Sequence, residues 1–193
     1  MSEIEPRELR SDATRNRAQI LMAATKVFVA NGAERSMRAI AREAGVGIGT
    51  LYRHFPTRES LVDAVYRDQV DRLTAGADEL LARMPPAGAL RRWMDLFGDW
   101  ISTKNGMVDT LLAMIEAGEL AHAQTRAELL EAIGVLLAAG RTAGDLRADV
   151  TAEDVSAMLI GVFAVAPAAG PEQTARLLDL VMDGLRSTHP VAG

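Results

Sequence analysis

At 193 residues, 49% of them hydrophobic, the chain can bury a substantial core, either as one large domain or as a small domain joined to a larger one. It has no cysteine, which excludes a disulfide framework, a thiol nucleophile and a cysteine-held metal, and which suits a reducing cytoplasm. The net charge of −5 argues against a polyanionic partner for the whole chain, yet residues 1–60 hold ten Lys/Arg against seven Asp/Glu while residues 61–193 hold eleven against nineteen, so only the start suits a polyanion.

In chain order, MSEIEPRELRSD is charged and lacks the apolar stretch of a secretory signal. Helical periodicity begins at Arg15–Ala30, where Ile20, Leu21, Ala24, Val27 and Phe28 recur at spacings of three and four, and Asn31-Gly32 stops the pattern. Ser36 is placed to cap a second helix from about Met37 to Ala44, ended by Gly45. A third short helix spans about Gly47–His54, and Pro56 prevents its continuation. Thr57 then caps a long fourth helix reaching about Met84.

Met84-Pro-Pro-Ala-Gly88 is the clearest punctuation of the second half. Helices are expected at about Ala89–Thr103, Met107–Glu116, Thr125–Ala143, Ala152–Ala166 and Pro171–Ser187, separated by Lys104-Asn105-Gly106, Gly144-Asp145 and Ala169-Gly170-Pro171. No alternating pattern reads as a sheet, so the expectation is an all-α chain: a three-helix head over residues 1–56 and a larger helical body over residues 57–193. The most apolar run, Val155–Ala169, contains Pro167 and is shorter than the roughly 20 residues that span a bilayer, which predicts no membrane partner.

The stretch IAREAGVGIGTLYRHF, Ile40–Phe55, has the pattern of two helices crossing at a short glycine-containing turn. Ala41 lets the backbones approach, Gly45 makes the turn, and Val46 and Leu51 lock the second helix across the first. Such a second helix fits a major groove. Its first residues, Gly47, Ile48, Gly49 and Thr50, are small enough to bring backbone close to DNA, and Tyr52, Arg53 and His54 follow with side chains able to bond phosphates.

The segment Arg17–Leu61, RAQILMAATKVFVANGAERSMRAIAREAGVGIGTLYRHFPTRESL, resembles the DNA-binding head of the TetR family of one-component transcriptional regulators. The resemblance covers about the first third of the chain. It implies a homodimer on a palindromic double-stranded operator, usually a repressor, released when a small molecule enters the body of each subunit. It further implies DNA contacts from Ser36, Arg38, Gly47, Ile48, Thr50, Tyr52, His54 and Arg58, with Ile48 placed to meet a thymine methyl. The family usually has Ser or Thr where this chain has Gly47, so a capping hydroxyl is missing there.

Trp93, Phe97 and Trp100 are spaced by four and three and share a helix face. With Met107, Leu111, Met114, His122 and Met158 they form the candidate pocket set for a small, largely apolar effector. The same stripe is also the ordinary signature of a core. The last two helices would pair two subunits through Val155, Leu159, Val162, Phe163, Leu177, Leu180, Val181 and Leu185, as the resemblance implies.

Glu119 and His122 have the Glu-x-x-His spacing of di-iron bundles, but such sites need two pairs and this chain has one, which leaves no metal ligands, cofactor or catalytic residues to name. No phosphate-binding glycine loop follows a predicted strand. The alternative to a ligand-responsive regulator is a helical sensor or carrier whose DNA-binding head has decayed, for which Gly47 is the one hint, and a third reading is a bundle enzyme using Glu119 and His122; both rank well behind the regulator.

Overall fold

The computed structural model describes residues 6–30, 36–118 and 122–187. These residues form α1 (Pro6–Val29), α2 (Met37–Glu43), α3 (Ile48–His54), α4 (Arg58–Leu81), α5 (Pro86–Gly106), α6 (Val108–Glu116), α7 (His122–Ala143) and α8 (Ala152–Leu185). Among the described residues there is no strand, and Leu146 and Arg186 make an isolated antiparallel bridge. The chain is all-α, as its periodicity predicts.

Two helices start earlier than periodicity suggests, α1 at Pro6 and α5 at Pro86. Proline at the first helical position loses no hydrogen bond, because that N–H has no partner within a helix anyway. At α4 the backbone N–H of Ser60 donates to Thr57 Oγ1 (3.1 Å) and that of Thr57 donates to Ser60 Oγ (3.2 Å), which confirms Thr57 as the cap. At α8, Thr151 caps and Asp154 completes a capping box, its carboxylate accepting from the Thr151 backbone N–H (2.9 Å).

The two helices expected at the end of the chain form one long element broken at Gly170, whose φ of 75° leaves the helical region. Pro167 sits inside the first arm of α8, which runs past the expected end at Ala166.

The chain divides into two compact units, Met1–Gln69 with Ser102–Leu120, the head unit, and Val70–Ile101 with Ala121–Gly193, the body unit. The head unit therefore extends beyond Pro56, through the first half of α4, and takes in α6. Its core is Ile20, Leu21, Ala24 and Phe28 of α1, Met37, Ile40 and Ala41 of α2, Leu51 and Phe55 around α3, Leu61, Val62 and Val65 of α4, and Met107, Leu111 and Met114.

In the body unit, Leu90, Trp93, Met94 and Phe97 of α5 are buried with Leu73 and Ala77 of α4, Ile133, Leu136 and Leu137 of α7, and Val155, Leu159, Leu178 and Met182 of α8. The Trp93 indole N–H donates to the carbonyl of Leu73 (2.8 Å), which pins α5 to α4 within this unit. Arg91 joins α5 to the second arm of α8 through Asp179 (2.8 Å) and is also paired with Asp95 (2.6 Å). Burial lowers the pKa of Arg91, but the hydrogen bonds to the two carboxylates outweigh it, so the guanidinium is held above its ordinary value.

Candidate nucleic-acid interface

The head is a helix-turn-helix whose geometry follows from a few residues. Ser36 caps α2, its Oγ accepting from the Ala39 N–H (3.2 Å). Gly45 turns the chain with φ of 67°, a conformation that disfavours a β-carbon. The Gly45 N–H donates to the Arg42 carbonyl (3.1 Å) and the Val46 N–H to the Ala41 carbonyl (3.0 Å), which closes the end of α2. Leu51, fully buried, and Phe55 anchor α3 from beneath.

The opposite side of α3 faces outward. Ile48 is 39% exposed and Tyr52 46% exposed, although both are large and apolar in body. Four residues apart on a seven-residue helix, they share a face that the chain itself leaves uncovered. Arg38, Gly47 and Arg53 are exposed, while Ser36, Thr50 and His54 are half-buried. The expected contact residues of α2 and α3 thus come together on one helix-turn-helix, with phenol, guanidinium, imidazole and hydroxyl groups within a few residues.

Gly47 is the α3 cap, with φ of −66° and no side chain to bond the helix start. A β-carbon there would meet only Thr50 Oγ1, at 3.9 Å. A serine would fit, so nothing steric explains the glycine. At the edge of the head the Arg17 guanidinium lies 5.4 Å over the Phe55 ring, a stacking that its spacing in the sequence does not announce.

Arg58 is placed differently from the rest. It is half-buried, with its Cζ 5.5 Å over the Phe28 ring, and its Nε–H donates to Thr110 Oγ1 (3.4 Å). Contacts inside the head unit occupy the guanidinium that the resemblance would give to a phosphate.

The pocket set does not assemble as one group within either unit. Trp93, Phe97 and Trp100 are packed on one another in the body unit, with ring centroids 5.6 and 5.2 Å apart, and Phe163 adds a fourth ring 5.9 Å from Phe97. A close approach permits this: a β-carbon on Gly98 would lie 2.5 Å from the Phe163 ring. Met107, Leu111 and Met114 are buried in the head unit, and Met158 is exposed on α8. The His122 side chain and Glu119 lie outside the described residues.

An open groove of ≈ 510 Å³ does lie between α4 and α7 of the body unit, lined by Asp71, Thr74, Ala75, Ala77, Asp78, Glu128, Glu131, Ala132 and Val135. None of the expected pocket residues whose side chains are described lines it. Sequence reasoning missed it because its carboxylates read singly as the solvated faces of two helices.

The interface set also needs correction. Val155, Leu159 and Leu185 are buried within the body unit itself and so are core residues, unavailable to a second subunit. Val162, Phe163, Leu177 and Val181 are half-buried, and Leu180 is 66% exposed. Ile160, 57% exposed, and Val165 lie on α8 outside the expected set and are more open than most of it.

Comparison with known proteins agrees with this geometry. Residues 20–65 match the model of bacterial regulatory proteins of the tetR family, and residues 85–187 match the C-terminal domain of SbtR-like transcriptional regulators. The structure is similar to a TetR transcriptional regulator from Streptomyces coelicolor, 44% identical, covering 90% of this chain and 99% of that one with a TM-score of 0.80. It is also similar to a TetR regulatory protein from Mycobacterium vanbaalenii, 39% identical, covering 92% and 99% with a TM-score of 0.73. An HTH-type transcriptional regulator of Staphylococcus aureus (strain USA300) is 44% identical over 64 residues, 33% of this chain and 35% of that protein, so the match to this curated relative spans about a third of its length. With both family models matched and two regulators aligned over nine-tenths of it, the chain belongs to the TetR family of DNA-binding transcriptional regulators, which are not enzymes.

Proposed function

We propose that this protein is a cytoplasmic, homodimeric repressor that binds a palindromic operator and leaves it when a small, largely apolar effector enters its body. The observation that carries the reading is the uncovered face of α3, where Ile48 and Tyr52 stand exposed above the buried anchors Leu51 and Phe55. Two large side chains turned outward on the second helix of a helix-turn-helix, in a family that binds DNA, suit contact with a major groove. Ile48 would lie against a thymine methyl, with Thr50 beside it at base edges. Tyr52, His54, Arg38 and Ser36 would bond phosphates, and the Ser36 hydroxyl keeps its hydrogen for that purpose while its oxygen caps α2.

Dimerisation is supported by α8. Its most apolar window has a mean hydropathy of 1.5, yet only 17% of that window is buried. Ile160, Val165, Met158 and Leu180 are exposed, and the small residues Ala157, Gly161 and Ala164 lie among them. Length and composition would also let this helix cross a bilayer, but the break at Gly170 and the membership of a DNA-binding family favour a second copy of the chain as its cover. On a palindromic operator the two recognition helices of such a dimer would meet half-sites about 34–36 Å apart.

For the effector, an apolar guest would have to part the rings of Trp93, Phe97, Trp100 and Phe163, which pack on one another and carry no charge. The groove between α4 and α7 favours a second reading, a cationic amphiphile, because Asp71, Asp78, Glu128 and Glu131 line it with no basic residue among them. Thermal shift with a cationic amphiphile and a neutral one of equal size separates the two; a shift by the cation alone that Asp71→Asn abolishes selects the second.

The test of the main reading is selection of duplexes from a random pool by the full-length protein, followed by fluorescence anisotropy over a salt series. Enrichment of an inverted repeat bound far more tightly than an unrelated duplex is expected. Equal, weak binding to every duplex would refute the repressor reading and leave a sensor with an inactive head.

A further inference from the structure

Around Arg58 four elements of the head unit converge. At the end of α5, Gly106 packs against the main chain of α1: a β-carbon there would overlap the Phe28 carbonyl oxygen and lie 2.6 Å from its carbonyl carbon. The Phe28 ring, fully buried, is covered by the Arg58 guanidinium at the first position of α4. From there Arg58 Nε–H reaches Thr110 Oγ1 in the first turn of α6. One planar cation therefore touches α4, α1 and α6 beside a backbone-on-backbone approach of α5 to α1.

The geometry points to Arg58 as a positioning residue that fixes the helix-turn-helix to α6, instead of a phosphate contact. The inference rests on the repressor reading and names a residue that holds its DNA-binding head in place. Gly106, two residues before α6, holds the chain against the Phe28 main chain, so α6 begins beside the end of α1. Arg58, bonded to Thr110 and stacked on Phe28, ties the α4 start to α6 and to the end of α1. That start follows α3 by three residues. Lysine cannot replace arginine here, because a point charge lacks both the planar face for Phe28 and the directed Nε–H for Thr110.

The experiment uses the full-length protein with Arg58→Lys, Arg58→Met, Thr110→Val, Thr110→Ser and the double variant Arg58→Met/Thr110→Val. The probes are the duplex enriched by selection and a duplex of unrelated sequence, each titrated over a salt series. A head no longer fixed to α6 must be ordered on binding, so Arg58→Lys, Arg58→Met and Thr110→Val are each expected to weaken binding to the selected duplex by about fivefold, the low end of ordinary coupling between sites. Thr110→Ser keeps the hydroxyl and binds like the parent. The double variant is no weaker than Arg58→Met, and the slope of log K against log salt is unchanged in all of them.

The inference is overturned if Arg58→Met lowers that slope by about 0.9 while Arg58→Lys and Thr110→Val bind like the parent, the signature of a lost phosphate contact. It is equally overturned if every variant binds like the parent. Circular dichroism checks each fold, and should Arg58→Met not fold, Arg58→Lys and the two Thr110 variants still decide between the outcomes. Failure of the parent itself to bind either duplex would remove the repressor reading and this inference with it, a result distinct from the other two.

Discussion

Replacing Gly106 by alanine tests the approach of α5 to α1 directly. The new methyl carbon would overlap the carbonyl oxygen of Phe28 and lie 2.6 Å from its carbonyl carbon and 3.1 Å from its Cα. These are main-chain atoms of a helix end, and none can rotate aside as a side chain would. Contacts of this kind open to at least about 3.4 Å, and the overlapping oxygen sets the distance, so the last turn of α1 must retreat by well over about 1 Å, a forced overpacking that costs about 1–3 kcal/mol, toward the upper end where backbone has to move. Against this, alanine narrows the unfolded ensemble and returns about 0.4–1 kcal/mol. The net loss is about 2 kcal/mol, and for a chain of 193 residues, where each kcal/mol moves Tm by about 2–4 °C, the melting temperature should fall by about 4–8 °C. Differential scanning calorimetry of parent and Gly106→Ala measures it. Gly98→Ala should fall less, because the atoms it meets belong to the Phe163 ring and can turn. A Gly106→Ala protein melting at or above the parent would refute the close approach of α5 to α1.

The same logic reverses sign at Gly134, inside α7, where an added β-carbon would have nothing within 4 Å: Gly134→Ala should raise stability by up to about 1 kcal/mol, read from the same melts. Thr151→Ala removes the hydroxyl that accepts from Asp154 N–H at the start of α8 and should cost about 1 kcal/mol in denaturant unfolding. Ile160→Asp places a charge on the exposed apolar face of α8 and should turn a dimer into a monomer by light scattering; an unchanged mass would move the interface elsewhere. Asp149, bonded to Arg147, has its pKa lowered to about 2. Because that lies below the unfolded value of about 3.9, the pair's contribution is present above about pH 4 and disappears as pH falls through about 2. The Tm gap between parent and Asp149→Asn should therefore be constant near neutrality and close in acid.

Most of the fold was legible because it is written locally. Periodicity located the helices, Thr57 and Gly45 marked a start and a stop, and Gly170 broke the last element where turn chemistry placed the break. Pro6 and Pro86 extend helices that periodicity alone trims, since the first turn of a helix need not bury anything. The recognition face was legible for the same reason: Leu51 and Phe55 are buried and Ile48 and Tyr52 exposed within eight residues, so one short string fixes both the scaffold and what it presents.

What the sequence could not disclose depends on partners far along the chain. Hydrophobicity says that Val155 and Leu180 seek cover but not whether the cover is the same chain or another; the first is buried within the body unit and the second is not. Arg58 is the sharper instance, because its hydrogen-bond partner lies 52 residues away. A basic residue just after the recognition helix reads as a phosphate ligand, and only the positions of Phe28 and Thr110 turn it inward. The distinction is physical: a phosphate contact needs a charge free to follow the DNA, whereas a clasp needs a planar group held on two sides. For that reason lysine should serve at this position where the side chain touches DNA and fail where, as here, it must stack and bond at once.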